Sequence, residues 1–308
     1  MGFAAFLVVM IHSQLPTFYG ILGTLECSVD LFLLLGGFTC AGSFRKSLLD
    51  TSKSTGENIK LFYKKRFYRI LPAYFILFSV YYVWLYIIHG NGDWAGFFKT
   101  FTFYGHFVDS SHMILWYVPA VLLAYLLLPF YMLLCEKNRL FLWLPLLIIF
   151  ILIGLCVLHL MKQIPFYMFF VRLPIFLIGI NLYICKDNLM KINPVLLVLA
   201  TVVFSLLSVF LDIPFYFNLR RICFIPLTFC VIYFFDKLKF GNKLWHWLGA
   251  FTLEIYMIND LLMRDIFPMI AGHLEATTAT IFSYILYFPI GIGLAYLYHK
   301  FLNAVVYK

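Results

Sequence analysis

The residues of this chain that could do chemistry are ionisable side chains placed inside apolar runs or at their edge: His12, Glu26, Asp30, Arg172 and Glu254. At membrane depth such a group costs several kcal/mol unless it is paired or hydrated, so each is a functional candidate by default. His12 lies about 16 Å along a helix from Met1 at 1.5 Å per residue. Glu26 and Asp30 stand one turn apart on one helix face. A hairpin of the first two apolar runs therefore brings an imidazole within reach of two carboxylates. A histidine with a carboxylate partner is the arrangement of an oriented general base, able to take a proton from a hydroxyl nucleophile. Spacing alone leaves a second reading open, a structural histidine bonded to a neighbouring carbonyl.

Arg66 and Arg69 lie one turn apart just before Ile70-Leu71-Pro72, at the mouth of the third apolar run. Two guanidinium groups on one helix face can grip a phosphate or a carboxylate. Basic residues at a cytoplasmic helix end are also what orientation alone requires. Arg172 sits mid-run between Phe169-Phe170 and Pro174, where orientation has no use for it, so it needs an anion or a water-filled cavity. Arg220 and Arg221 face an anionic ligand outside, or pair with Asp212 or Glu254. His89, His106 and His112 lack metal-ligand spacing, and no metal is expected.

The elements that must position these residues follow from composition. Of 308 residues, 64% are hydrophobic, 20% aromatic and 12% charged, and mean hydropathy is +0.94. Soluble domains carry about 25% charged residues, so a soluble globular chain is excluded. Ten apolar runs, at 2–17, 27–44, 70–88, 115–134, 140–160, 166–185, 194–211, 215–235, 244–263 and 280–302, lack barrel-type alternation. They read as transmembrane helices of an all-α polytopic membrane protein. The net charge of +9 reports topology, with no nucleic-acid partner expected. With segment 45–69 inside, 17 of the 23 Lys and Arg fall on the cytoplasmic side, which places both termini in the cytoplasm. The basic stretch 45–69 is expected as a loop, and 89–114 as an external loop with an amphipathic segment along the interface. Seven cysteines without CxxC spacing read as core residues. No cleavable signal peptide is visible, and no repeat divides the chain, which is expected to form one domain over 1–308.

In order along the chain stand Val8-Val9-Met10-Ile11-His12-Ser13, Val29-Asp30-Leu31-Phe32 through Gly36-Gly37-Phe38, and Lys65-Arg66-Phe67-Tyr68-Arg69-Ile70-Leu71-Pro72. Leu115-Trp116-Tyr117-Val118, Arg172-Leu173-Pro174 through Gly179, and Leu248-Gly249-Ala250-Phe251-Thr252-Leu253-Glu254-Ile255-Tyr256-Met257 follow. This ordered set resembles the membrane acyltransferase family 3, whose members move acyl groups onto extracytoplasmic sugars and related hydroxyl acceptors. The resemblance implies a ten-helix domain that takes an acyl group, typically acetyl, from cytoplasmic acyl-CoA. The acceptor is a surface polysaccharide of the cell envelope or its lipid-linked precursor, and the setting a bacterial inner membrane. It implies His12 as the base with Asp30 or Glu26 orienting it, and Arg66 and Arg69 on the donor. Trp116 and Arg172 stand as substrate-binding candidates. The first helix is expected to be cut short, since Met1 stands where the family has arginine, and Asn259 replaces a family histidine. A glycan-precursor transporter or flippase is the reading from another class, and an inactive relative a third.

Overall fold

The computed structural model describes residues 1–12, 27–49, 52–89, 93–109, 114–160, 163–185, 242–271 and 276–308, with short stretches at 193, 195–196, 198–203 and 230. No strand occurs among the described residues. The helices are α1 (Gly2–His12), α2 (Cys27–Leu48), α3 (Thr55–His89), α4 (Trp94–Phe101), α5 (Tyr104–Val108) and α6 (Tyr117–Lys137). A 3₁₀ turn at Arg139–Trp143 leads into α7 (Leu144–Val157), followed by α8 (Tyr167–Ile184), α9 (Asn242–Gly249), α10 (Thr252–Ala271) and α11 (Ala276–Val305). Three described helices, Thr55–Ile87, Tyr117–Lys137 and Tyr167–Ile184, are long and apolar enough to cross a membrane. The runs expected at 194–211 and 215–235 lie almost entirely outside the described residues, as does 2–17 beyond residue 12.

Two expectations are corrected. The basic stretch 45–69 is mostly helix rather than loop: Arg45 and Lys46 close α2, and α3 is already four turns long at Arg69. The cause is a capping box at Ser54-Thr55-Gly56-Glu57. The Ser54 amide donates to Glu57 Oε2 at 2.7 Å and the Glu57 amide donates to Ser54 Oγ at 3.3 Å, satisfying two otherwise orphaned donors. Ser54 donates to the Glu57 carboxylate from its amide and, at 2.9 Å, from its hydroxyl, which holds that carboxyl below its ordinary range. The expected run 244–263 is likewise broken at residues 250–251. The Ala250 and Phe251 amides bond back three residues, to Trp247 and Leu248, tightening the end of α9 and letting α10 restart.

The chain forms two compact units. The first comprises Met1–Leu25, Lys65–Pro119 and Lys243–Lys308. Within it α1 packs on α9 and α10, with Phe3 and Phe6 set edge-on to the Trp245 ring. Segment 89–114, expected as an external loop with an amphipathic segment, carries α4 and α5, and Asp93 caps α4 by accepting from the Gly96 amide. Rings on α4 stack against α3, Phe97 on Phe78 at 5.5 Å, and the Tyr74 hydroxyl donates to the Thr100 carbonyl at 2.7 Å. Each such ring pair adds about 0.5–1.5 kcal/mol beyond its buried area.

The second unit comprises Glu26–Lys64 and Ala120–Asn242. Its spine is α2 lying parallel to α8, with Asp30 near Arg172 at one end and Phe38 and Gly42 against Tyr183 at the other. The two backbones touch. A Cβ on Gly37 would lie 2.2 Å from the Phe176 carbonyl oxygen, and one on Gly179 2.1 Å from that of Leu34. Only glycine admits that approach, as at small-residue contacts between membrane helices. Tyr131 on α6 joins α8 by donating to Asn181 Oδ1 at 2.8 Å, and Arg45 on α2 pairs with Glu136 on α6.

Candidate functional site

Arg69 is the centre of the most developed polar cluster in the first unit. The break before α10 releases the Ala250 carbonyl from helix bonding, and Arg69 Nη2 reaches it at 3.4 Å. Three residues into α10, Glu254 is fully buried, and the same Nη2 reaches its Oε1 at 2.7 Å. His299 of α11 places Nδ1 3.0 Å from that same oxygen, and Asn303 one turn on places Nδ2 2.8 Å from His299 Nε2. A buried carboxylate costs several kcal/mol unless donors surround it, and here a cation and an imidazole share the task. Tyr307 closes the outer side of the cluster. Its hydroxyl donates to the Arg69 carbonyl at 2.7 Å and accepts from Nη1 at 3.1 Å, while the ring lies 5.1 Å from the guanidinium carbon. Burial pushes the Tyr307 phenol up, which keeps it a neutral hydroxyl. The side chain of Arg69 stays 36% exposed, and a guanidinium with five N–H donors has capacity beyond its bonds to Glu254, Ala250 and Tyr307. Arg66, one turn earlier on α3, is half-buried.

In the second unit, Arg172 Nε lies 3.7 Å from Asp30 Oδ1, both side chains nearly inaccessible. Arg172 thus has the anionic partner its depth demands. The first unit also holds the turn that carries Trp116. Leu115 adopts a left-handed backbone at φ 50°, a conformation that costs a non-glycine residue about 1–3 kcal/mol. Two residues of α10, one turn apart, offset it: Asp260 Oδ2 accepts from the Leu115 amide at 2.8 Å and the Tyr256 hydroxyl accepts from the Tyr117 amide at 3.3 Å.

His12 ends α1, with its side chain outside the described residues, as is the whole of Glu26. Asp30 belongs to the other unit. Asn259 is buried and donates to the Ile255 carbonyl at 2.7 Å. His106 is buried in α5, and no group of three metal-ligating residues occurs among the described residues. Sequence reasoning missed Glu254 and His299 as partners of Arg69, offering Glu254 to Arg220 or Arg221 instead. The available signal was Glu254 itself, an acid in an apolar run with Arg69 as the basic residue of a motif in need of a partner. A family model described as an acyltransferase domain matches residues 2–300. No curated protein and no solved structure matches the chain.

Proposed function

The chain belongs to membrane acyltransferase family 3, and from that premise we propose that it transfers an acyl group, acetyl in the simplest case, from cytoplasmic acyl-CoA to a hydroxyl of a surface polysaccharide or its lipid-linked precursor. Acyl transfer as the class of activity, and the membrane as its place, come with the family. Donor, acceptor and a bacterial inner membrane are the proposed refinements, as are ten spans, one domain and cytoplasmic termini. The observation that carries the reading is the family match over nearly the whole chain, which includes His12, Arg66 and Arg69.

The reaction balances with these residues alone. His12, oriented by Asp30 or Glu26, takes the proton of the acceptor hydroxyl as its oxygen attacks the thioester carbonyl carbon. The tetrahedral intermediate collapses with cleavage of the C–S bond, and the leaving thiolate of CoA recovers the proton from His12. Arg66 and Arg69 hold the donor phosphates, and the accessible edge of Arg69 supports that role. Acyl-labelled acetyl-CoA supplied to membranes carrying wild type or His12→Ala tests the proposal. Label is expected in the surface glycan with wild type and absent with the variant. A folded wild-type chain that transfers no label overturns it in favour of a carrier or an inactive relative.

A further inference from the structure

Arg69 has N–H groups to spare because it meets Glu254 at one oxygen only. Nη2 reaches Oε1 at 2.7 Å, and His299 Nδ1 reaches the same oxygen at 3.0 Å. The second oxygen, Oε2, is buried and has no hydrogen-bond partner among the described residues. A guanidinium facing a buried carboxylate closes on both oxygens where no other donor competes, since the forked geometry matches and the bare oxygen is costly. His299 stands on the same oxygen and directly beside the guanidinium, its Nδ1 3.0 Å from Oε1 and 3.5 Å from Arg69 Nη2, so it holds the guanidinium to one side of the carboxylate. With the Asn303 amide donating to Nε2, the ring proton sits on Nδ1 and faces Glu254.

We infer that His299 is a positioning residue for the acyl donor: by sharing Glu254 it keeps Arg69 end-on, with the remaining N–H groups of the guanidinium turned to the phosphates of an acyl-CoA. The inference rests on the acyl-transfer reading above. Without His299, Arg69 swings onto Oε2 and its free donors turn inward. Donor affinity then falls while the reacting carbonyl is untouched, which is the kinetic signature of weakened uniform binding.

The test uses the full chain in membranes, with donor KM and kcat measured for acetyl-CoA in wild type, His299→Ala, His299→Gln and Asn303→Ala. His299→Ala is expected to raise donor KM about tenfold with kcat within about twofold, the effect of removing one charge-assisted hydrogen bond to the donor. His299→Gln, which keeps an N–H toward Glu254, is expected to bring KM back to within about threefold. Asn303→Ala, at an exposed position, frees the ring and gives the same direction at about two- to fourfold, so it carries the test if His299→Ala fails to accumulate. A merely structural histidine would lower the amount of active protein and leave KM unchanged. Wild-type turnover with KM unmoved in these variants overturns the inference alone, whereas a folded wild type without turnover overturns the acyl-transfer reading and the inference with it.

Discussion

In the unit built on α2 and α8, Asp30 and Arg172 are sealed beside helices whose backbones meet at Gly37 and Gly179, whereas in the unit that holds α1, α10 and α11, Arg69 shares a buried Glu254 with His299 and keeps a solvent-facing edge. Both pairs neutralise a charge that the apolar surroundings would reject. They differ in what is left over. The first arrangement ties a helix pair together, while the second leaves hydrogen-bonding capacity for something that arrives. Charge at membrane depth is thus not one signal but two, and partner geometry separates them.

Four substitutions put that contrast at risk. The largest effect is expected from His12→Ala, which removes the proposed base from the unit that keeps an open cation. Acyl transfer should fall by about 10²–10⁴, while the amount of folded protein in detergent stays near wild type. Next is Asp30→Ala, which leaves Arg172 buried without its carboxylate and should cost about 3–5 kcal/mol, read as a drop in thermal midpoint. Activity per folded molecule in that variant then shows whether Asp30 orients His12 in addition. Gly179→Ala attacks the same helix pair without touching charge. Overpacking against the Leu34 carbonyl should cost about 1–3 kcal/mol, with donor KM unmoved if the two units divide the work as described.

Smallest is Ser54→Ala, which removes the α3 cap and should cost about 1 kcal/mol, seen as faster amide exchange at residues 55–58. The partner of that cap adds a pH dependence. Because the folded-state pKa of Glu57 is lowered, its contribution is present above the unfolded carboxyl value and fades as pH falls through the folded one. Amide protection at the start of α3 is therefore expected to decline in acid, and protection independent of pH would count against the capping box.

Much of the helical layout was legible because apolar runs are long and local. α6 and α8 match their expected runs to within a few residues, and α2 extends only past its charged end. The start of α3 was missed because Ser54 to Glu57 is a capping signal that hydropathy does not register. The break at residues 250–251 was missed for a related reason, since Leu248, Ala250 and Phe251 are as apolar as the helices they separate. Arg69 was identified from its motif, but its partners sit on α10 and α11, and pairing across such sequence distance is set by tertiary packing. The strained turn at Leu115 is equally nonlocal: nothing in Leu115-Trp116-Tyr117 announces a left-handed residue held by Asp260 and Tyr256.

The unexpected length of α3 bears on kinetics. Its 35 residues extend about 52 Å, against a hydrocarbon core of about 30 Å, leaving roughly 20 Å beyond it. Lys60, Lys64, Lys65 and Arg66 precede the apolar run 70–88 on this same helix, so with that run as the span they form a cationic stretch ahead of Arg69. A polyanion approaching from bulk water feels such a stretch across about one Debye length, roughly 8 Å at physiological ionic strength. For the multiply phosphorylated donor proposed above, encounter would be steered rather than random, with a rate constant that falls as salt is added.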